Sequence, residues 1–324
     1  MKKIFLLLLL FLVTCSEDVY YAAGKEDEVF VVADSGVWKE LKHLIKESLY
    51  KDVRIVHEKR IFTAKYVEPQ NFASKQRRKN ILLVGSVTSD RTSEFIRNIL
   101  PSDALSKIES QGAGIFLAEN FYAEGQIVIV IGAKDMTSLK DILKKKQDTL
   151  FNIFQGKIKE RIKTKTLKQF NERLSKRMRN QYGWSLKLPR QYLVSRDSNR
   201  FVRFVRRHPD RFISVYWEFT DNFDAQYCLD ERKIIAKIYY RGDQIDTTRT
   251  KIEGFKFRGR DIFVISGVWQ NEQYVMGGPF LTYCIYEPKK KTAYFVDGLI
   301  FGPGKNKWVY LCELEAIIES FELN

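Results

Sequence analysis

Apolar residues in the first half of the chain alternate between short continuous runs and helical spacing. Residues 28–35 form an apolar run that predicts a buried strand, and residues 80–87 form a second one. The first run is followed by a predicted helix whose apolar side chains share one face: Trp38, Leu41, Leu44, Ile45 and Leu49. Residues 114–133 predict a hairpin with Glu124 and Gly125 at its turn. Strands that alternate with helices favour an α/β layered domain over residues 28–150.

A different period begins near residue 148 and continues to residue 180. Apolar or small side chains recur there every four positions: Phe154, Ile158, Ile162, Thr166, Phe170, Leu174 and Met178. This narrow stripe predicts one long connecting helix, and its basic part covers residues 151–180. The stripe is typical of a helix that lies along a domain surface, and contact with a partner helix is the alternative.

The last part of the chain, residues 181–324, predicts mainly strands that are separated by turn residues. Its closing segment has helical spacing, with apolar residues on one face: Leu311, Leu314, Ile317, Ile318 and Phe321. We therefore expect an α+β domain, in which an antiparallel sheet is flanked by helices.

Two glycines fall inside one of these strands. Gly277 and Gly278 follow the residues that already return from a turn, and Pro279 comes next. Glycine within a strand marks a bulge or the close approach of another group to the backbone, and proline removes a ladder donor. We expect a structural bulge with Trp269 nearby across the hairpin, and the alternative is the approach of a ligand.

The N-terminus has the pattern of a secretory signal. Two lysines precede an unbroken apolar run, which is too short to span a bilayer, and the run leads directly to Cys15. This arrangement resembles the lipobox of bacterial lipoproteins, although Thr14 stands where a smaller residue is usual. It implies a signal peptide over residues 1–14, acylation of Cys15 by chains such as palmitate, and a tether over residues 15–27. The alternative is an ordinary signal peptide with a coincidental cysteine.

The residue after the cysteine bears on the location of the protein. Lipoproteins that do not reach the outer membrane usually have aspartate at this position, and here it is Ser16. The resemblance therefore implies the outer membrane, facing the periplasm. Three other cysteines remain, Cys228, Cys284 and Cys312, and three thiols cannot all pair with one another. Without CxxC spacing we expect buried structural thiols, while disulfide pairing among them stays open.

Positive charge is concentrated in one part of the chain. The whole chain has a net charge of +15, and residues 151–212 contain 18 lysines and arginines against 4 acids. Such a block favours anionic partners, and we assign a candidate face to seven cations: Lys159, Lys163, Arg173, Arg177, Arg203, Arg206 and Arg207. For a secreted lipoprotein, anionic lipid, lipopolysaccharide or an acidic protein fits better than nucleic acid. A solvated face is the alternative.

Catalytic and cofactor signatures do not occur in the sequence. HExxH, GxSxG and Walker A sequences do not occur, and the glycines at 112 and 114 precede a strand instead of following one. We therefore predict no catalytic residue, no cofactor and no metal site. The favoured function is a non-catalytic binding or assembly module. The alternative is a hydrolase of envelope polymers that uses an unrecognised pair of carboxylates.

Short motifs in the second domain occur in a fixed order: Gly183-Trp184 with Leu188-Pro189, Gly267-Val268-Trp269, Met276-Gly277-Gly278-Pro279-Phe280, Asp297-Gly298-Leu299-Ile300-Phe301 with Pro303, and Leu314-Glu315-Ala316-Ile317. In these motifs the chain resembles a family of envelope lipoproteins filed under a domain of unknown function, common in Bacteroidota-type bacteria. The resemblance covers nearly the whole chain. It implies an envelope location and a two-domain layout, and it implies no activity.

The chain departs from that family at two positions. Ser266 stands where the family tends to have arginine, and Asp297 stands where it tends to have glutamate. A salt bridge between these two positions would therefore be absent here. The order of strands and helices in the second domain also resembles the PsbP-type fold.

Overall fold

The computed structural model describes residues 19–54, 58–88, 91–198 and 200–324. The predicted fold class is confirmed: an α/β layered domain comes first and an antiparallel sheet flanked by helices follows. The predicted signal peptide and Cys15 lie outside the described residues.

The first domain is built on a mostly parallel sheet. The strands of this domain are β1 (Glu28–Val32), β2 (Asp52–Arg54), β3 (Glu58–Arg60), β4 (Thr63–Val67), β5 (Asn80–Ser86), β6 (Ala113–Glu119) and β7 (Ile127–Ala133), of which β2 and β3 pair only with each other. Its helices are α1 (Ser35–Leu49), α2 (Thr92–Ile99), α3 (Ser102–Gln111) and α4 (Met136–Lys145). Within the described residues, five strands pair in the order β4-β1-β5-β7-β6, and only β6 runs antiparallel to its neighbour.

Helices cover both faces of this sheet. Every residue of β5 and β7 is buried, as their continuous apolar runs predict for strands packed on two sides. Helices α1 and α4 pack on one face, and α2 and α3 pack on the other. The predicted hairpin is present as the β6–β7 pair.

The predicted tether is partly folded into this domain. Tyr21 bridges to Glu124 beside the β6–β7 turn, and the amide of Glu124 donates to the carbonyl oxygen of Tyr20 at 2.7 Å. The amide of Ala23 likewise donates to the carbonyl oxygen of Arg77 at 2.9 Å. The chain is therefore fixed from Tyr20 onward, so a tether of residues 15–27 is too long.

The predicted connecting helix is two helices, α5 (Gln147–Lys168) and α6 (Glu172–Tyr182). Asn171 separates them, because its side chain accepts from the amide of Leu174 and caps α6. Its own amide donates to the carbonyl oxygen of Leu188, and Phe170 forms a bridge with Pro189. The prediction of one continuous helix is therefore wrong at residues 169–171.

The second domain contains β8 (Trp184–Ser185), β9 (Leu193–Ser198), β10 (Phe201–Arg206), β11 (Asp210–Phe219), β12 (Gln244–Ile245), β13 (Lys251–Phe257), β14 (Arg260–Asn271), β15 (Met276–Glu287), β16 (Thr292–Phe301) and β17 (Glu322–Leu323). Its helices are α7 (Ala225–Tyr239) and α8 (Lys307–Ile318). Eight of these strands form an antiparallel sheet in the order β12-β14-β15-β16-β11-β10-β9, with β13 also on β14, and β8 pairs with β17 separately. Helix α7 packs on one face, and α6 and α8 pack on the other.

Helix α8 belongs to both domains. Its first turns place Trp308 and Cys312 in the core of the first domain, beside the buried face of α5. Its later residues Leu314, Ile317 and Ile318 lie in the core of the second domain. The N-cap residue Asn306 also donates a hydrogen bond to Asp27 at 2.8 Å, so the start of α8 is held by the first domain.

The bulge predicted at Gly277 and Gly278 is absent. Strands β14 and β15 pair without a register shift through both glycines, opposite Gln270 and Trp269, and neither glycine has a positive φ. A Cβ built on Gly278 would lie 1.9 Å from the carbonyl oxygen of Ile300 and 3.2 Å from Nε1 of Trp269. The close approach that requires glycine is therefore that of the neighbouring strand β16, and it leaves no space for a ligand.

Replacement of Gly278 by alanine should destabilise the protein because the new methyl group would meet a backbone oxygen. We expect a loss of about 1–3 kcal/mol in the free energy of unfolding. Gly156 is the control, because it is exposed in the middle of α5 with nothing within 4 Å of a built Cβ. Gly156→Ala should stabilise by roughly 0.5–1 kcal/mol. Urea unfolding of the chain starting at Ser16 measures both, and an unchanged midpoint for Gly278→Ala would contradict the close approach.

Candidate functional site

The seven cations that the sequence assigns to one face do not form a single surface. Five of them form ion pairs with carboxylates of the described chain: Lys159, Lys163, Arg177, Arg206 and Arg207. Arg203 lies on the opposite side of β10 from Arg206, half-buried near the rings of Phe212 and Tyr240. Arg173 is exposed on α6, and no described residue forms an ion pair with it.

Most of these ion pairs join α5 or α6 to acids that lie far away in the sequence or on another element. Nζ of Lys159 lies 2.9 Å from Glu315, and Nζ of Lys163 lies 2.6 Å from Glu319, so α5 is joined to α8 and the residue after it. Although burial opposes ionisation, the Glu315 carboxylate raises the pKa of Lys159. Much of the positive block therefore neutralises acids within the fold and is not free for a partner.

A cleft of about 410 Å³ lies where the two domains meet. The end of α5 forms one wall, the loop of residues 189–191 forms another, and Val309 and Tyr310 of α8 also line it. Of the seven predicted cations, only Arg206 lines this cleft. Two acids, Glu26 and Glu313, line it as well.

Both acids of the cleft already have cationic partners. Glu26 accepts from Arg161 at 2.6 Å and from Lys79 at 2.5 Å. Burial acts against its ionisation, but these two cations outweigh burial and hold the pKa of Glu26 below its usual value. Glu313 accepts from Arg206 at 3.1 Å and from the buried Arg211 at 2.7 Å.

Three further cations line the cleft without such a partner. Lys165 and Lys168 extend from the last turn of α5, and Arg190 lies on the opposite loop. All three are exposed, and no described carboxylate forms an ion pair with any of them. Since the acids of the cleft are neutralised, these cations give it an excess of positive charge. The arrangement is suited to a ligand with carboxylate or phosphate groups.

A buried ion pair under α7 was missed from the sequence. Nε of Arg232 donates to Oδ1 of Asp297 at 3.0 Å, and the exposed fractions of the two side chains are 0% and 1%. Thr282 also donates to Asp297. Asp297 therefore has a cationic partner on α7, although position 266 is a serine. Cys228 and Cys284 lie in the same core, and these two thiols and Cys312 are free and buried, as predicted.

A pair of carboxyl groups also meets between α7 and β11. Glu218 accepts from Tyr216 at 2.8 Å and from Tyr227 at 2.5 Å, and the side chain of Glu231 hydrogen-bonds to Glu218. Burial first, and then the charge of Glu218, raise the pKa of Glu231 to about 7. Glu231 therefore keeps its proton up to about neutral pH and can share it with Glu218. The spacing of Tyr227 and Glu231 on one helix face was visible in the sequence, but their meeting with β11 was not.

Among the residues that the structure describes, no group of three or more His, Cys, Asp or Glu side chains is arranged for a metal ion. None of the helices in the described ranges combines the length and apolar character needed to cross a bilayer.

Comparison with known proteins identifies two domains of unknown function. Residues 22–167 match the model of one (DUF8532), and residues 171–320 match the model of another (DUF4837). The junction between the two matches falls at the break between α5 and α6. No curated protein matches the chain in sequence.

Two solved structures show a weak similarity. They are a mutant of the protein Mog1 and the Saccharomyces cerevisiae Ran-binding protein Mog1p. Each is 10% identical, covers 44% of this chain and 90% of its own, and has a TM-score of 0.32. At this score neither structure defines the fold or the function of the chain.

The shared proton of Glu218 and Glu231 predicts a pH dependence of stability. The pKa of Glu231 rises from 4.5 to about 7 on folding, so the unfolded chain loses this proton at a lower pH. The stabilisation of the fold by this pair is therefore complete below pH 4.5, and it is lost as the pH rises through about 7. Because the pair is only half-buried, we expect a loss on the order of 1–2 kcal/mol.

Glu231→Gln keeps a neutral hydrogen-bonding group at this position and should remove that part of the pH dependence. At pH 8 the variant should be more stable than the wild type in urea unfolding. Glu109→Gln, at an exposed position of α3, is the matched control and should leave the pH profile unchanged. Parallel pH profiles for the wild type and Glu231→Gln would contradict the shared proton.

Proposed function

We propose that this protein is a lipoprotein of the bacterial cell envelope that acts without catalysis as a binding or assembly module for an anionic partner. The observation that carries the proposal is the cleft between the domains, where Lys165, Lys168 and Arg190 have no carboxylate partner among the described residues. Anionic lipid, lipopolysaccharide or an acidic protein would supply the complementary carboxylate or phosphate groups.

The proposed location follows from the N-terminal sequence. Acylation of Cys15 after removal of residues 1–14 would anchor the chain in the outer membrane, facing the periplasm. Multiple acyl chains give stable attachment, whereas one chain gives marginal binding. The comparisons support only the presence of two domains of unknown function, and they carry no information on lipid attachment.

The alternative function is a hydrolase of envelope polymers, and the carboxyl pair Glu218–Glu231 is the observation in its favour. In glycoside hydrolases the two carboxyl groups lie about 5 Å or more apart, so that a sugar or a water fits between them. A pair that is joined by a direct hydrogen bond is closer than that, and neither residue lines the cleft between the domains. The spacing of this pair therefore argues against a glycoside hydrolase, and because the pair lies outside the cleft, the binding module is the better supported function.

Loss of the acceptor cysteine should release the protein from membranes. Cys15→Ala removes the thiol that would carry the lipid, so the mature chain should no longer incorporate a clickable fatty acid or sediment with membranes. Metabolic labelling followed by membrane fractionation measures both. The control is Cys312→Ala, which removes a buried thiol and should leave labelling unchanged. Equal labelling of Cys15→Ala and the wild type would exclude this attachment site.

Reversal of the cleft charges should weaken binding to anionic surfaces. In the chain starting at Ser16, the cleft variant carries Lys165→Glu, Lys168→Glu and Arg190→Glu. If each cation contributes about 1 kcal/mol near such a surface, binding should weaken by roughly 100-fold. Co-sedimentation with lipopolysaccharide and with phosphatidylglycerol vesicles measures the effect. Wild-type binding should also decrease as salt rises, because the Debye length is ~8 Å at physiological ionic strength.

The matched control for this experiment changes the net charge equally at positions outside the cleft. Lys39, Lys42 and Lys107 are exposed on α1 and α3, and no described residue forms an ion pair with them. The variant with all three replaced by glutamate should retain most of the binding. Equal losses in the two variants would show that only net charge matters, and would contradict a specific role of the cleft.

A further inference from the structure

The chain enters the folded domain close to the proposed lipid. Hydrogen bonds fix it from Tyr20 onward, beside the turn between β6 and β7. Cys15 is only five residues before Tyr20, so an extended chain separates them by about 18 Å at ~3.5 Å per residue. The surface around Tyr20 is therefore the part of the described structure that an anchor at Cys15 would hold nearest the bilayer.

That surface exposes four large apolar or aromatic side chains. The exposed fractions are 62% for Val19, 47% for Tyr20, 72% for Tyr21 and 43% for Phe121. Phe121 lies in the same β6–β7 turn that pairs with Tyr20 and Tyr21. Together with Arg77 these residues define the anchor-side face. It lies at the end of the domain where β7 begins.

The polar groups of this face suit a headgroup region. The guanidinium carbon of the exposed Arg77 lies 3.3 Å from the centre of the Tyr20 ring. Tyrosine is enriched at membrane interfaces because its ring is apolar and its hydroxyl is polar, and arginine places its charge among lipid phosphates. Glu124 also lies in the turn, so attraction to anionic lipid is moderate and burial of the apolar side chains is the main contribution.

We propose that the anchor-side face rests in the headgroup region of the bilayer that holds the acyl chains of Cys15. The proposal rests on the lipid anchor of the proposed function. The short distance between Cys15 and Tyr20 favours the bilayer over a protein partner, because the face cannot move far from the membrane once Cys15 is acylated. The acyl chains and the apolar face then act together, as two attachments to one surface.

Spin labels on the acylated, full-length mature protein in phosphatidylethanolamine–phosphatidylglycerol vesicles test this orientation. Tyr21→Cys and Phe121→Cys place a label on the anchor-side face. Thr137→Cys places one in the first turn of α4, beyond the other end of β7. The cysteines at 228, 284 and 312 are buried, so the unsubstituted protein should take up little label. The ratio of collision with oxygen to collision with a water-soluble nickel complex reports depth in the bilayer.

We expect this ratio to be several-fold higher at 21 and 121 than at 137. Phe121→Asp should lower the ratio at 21, while the acyl chains keep the protein on the vesicles. The matched control is Phe219→Asp, at an exposed position of the second domain, and it should leave the ratio at 21 unchanged. Equal ratios at 21, 121 and 137 in vesicle-bound protein would overturn the orientation and leave the anchor in place. A mature protein that carries no acyl chain would overturn both proposals.

Discussion

The packing of α8 between two hydrophobic cores is the interaction on which the rest of the structure depends. Trp308 and Cys312 are buried in the first domain, whereas Leu314 and Ile317 are buried in the second. Each large apolar side chain that is fully buried contributes about 1.5–3 kcal/mol, so neither domain can release the helix without a substantial loss. The ion pairs from α5 to Glu315 and Glu319 then fix its lateral position. The cleft exists because α5, α8 and the loop of residues 189–191 are held together in this way.

Hydrophobic periodicity predicted the helices and strands well, but it did not show what each of them packs against. The strands of residues 80–86 and 127–133 were recognisable because a strand buried on both sides is apolar throughout. Helix α8 was predicted with one apolar face, but it buries two, since Trp308 and Cys312 pack in the first domain and Leu314 and Ile317 pack in the second. The break at Asn171 was missed for a related reason: the apolar stripe continues through it, and only the capping side chain and the contact with residues 188–189 end α5.

The ion pairs of the basic segment show why the candidate site could be predicted only in part. The number of cations in residues 151–212 is visible in the sequence, but most of their partner acids lie far away in the chain, at Glu26 and in and after α8. Pairing is a property of the tertiary structure, so the cations that remain for a ligand could not be separated from those that stabilise the fold. The same holds for Arg232 and Asp297. The sequence shows an arginine at a core position of a helix and an aspartate inside an apolar strand. It does not show that the two side chains form an ion pair.

The segment from Tyr20 to Asp27 connects the proposed anchor to the cleft. Its first residues form part of the anchor-side face, whereas Glu26 lines the cleft and pairs with Arg161 of α5. The next residue, Asp27, accepts from Asn306 at the start of α8. These contacts are short and partly buried, so the segment cannot shift without breaking an ion pair in a region of low solvent exposure. If Cys15 is acylated as proposed, the fold from Tyr20 onward would itself set the position of the cleft relative to the bilayer.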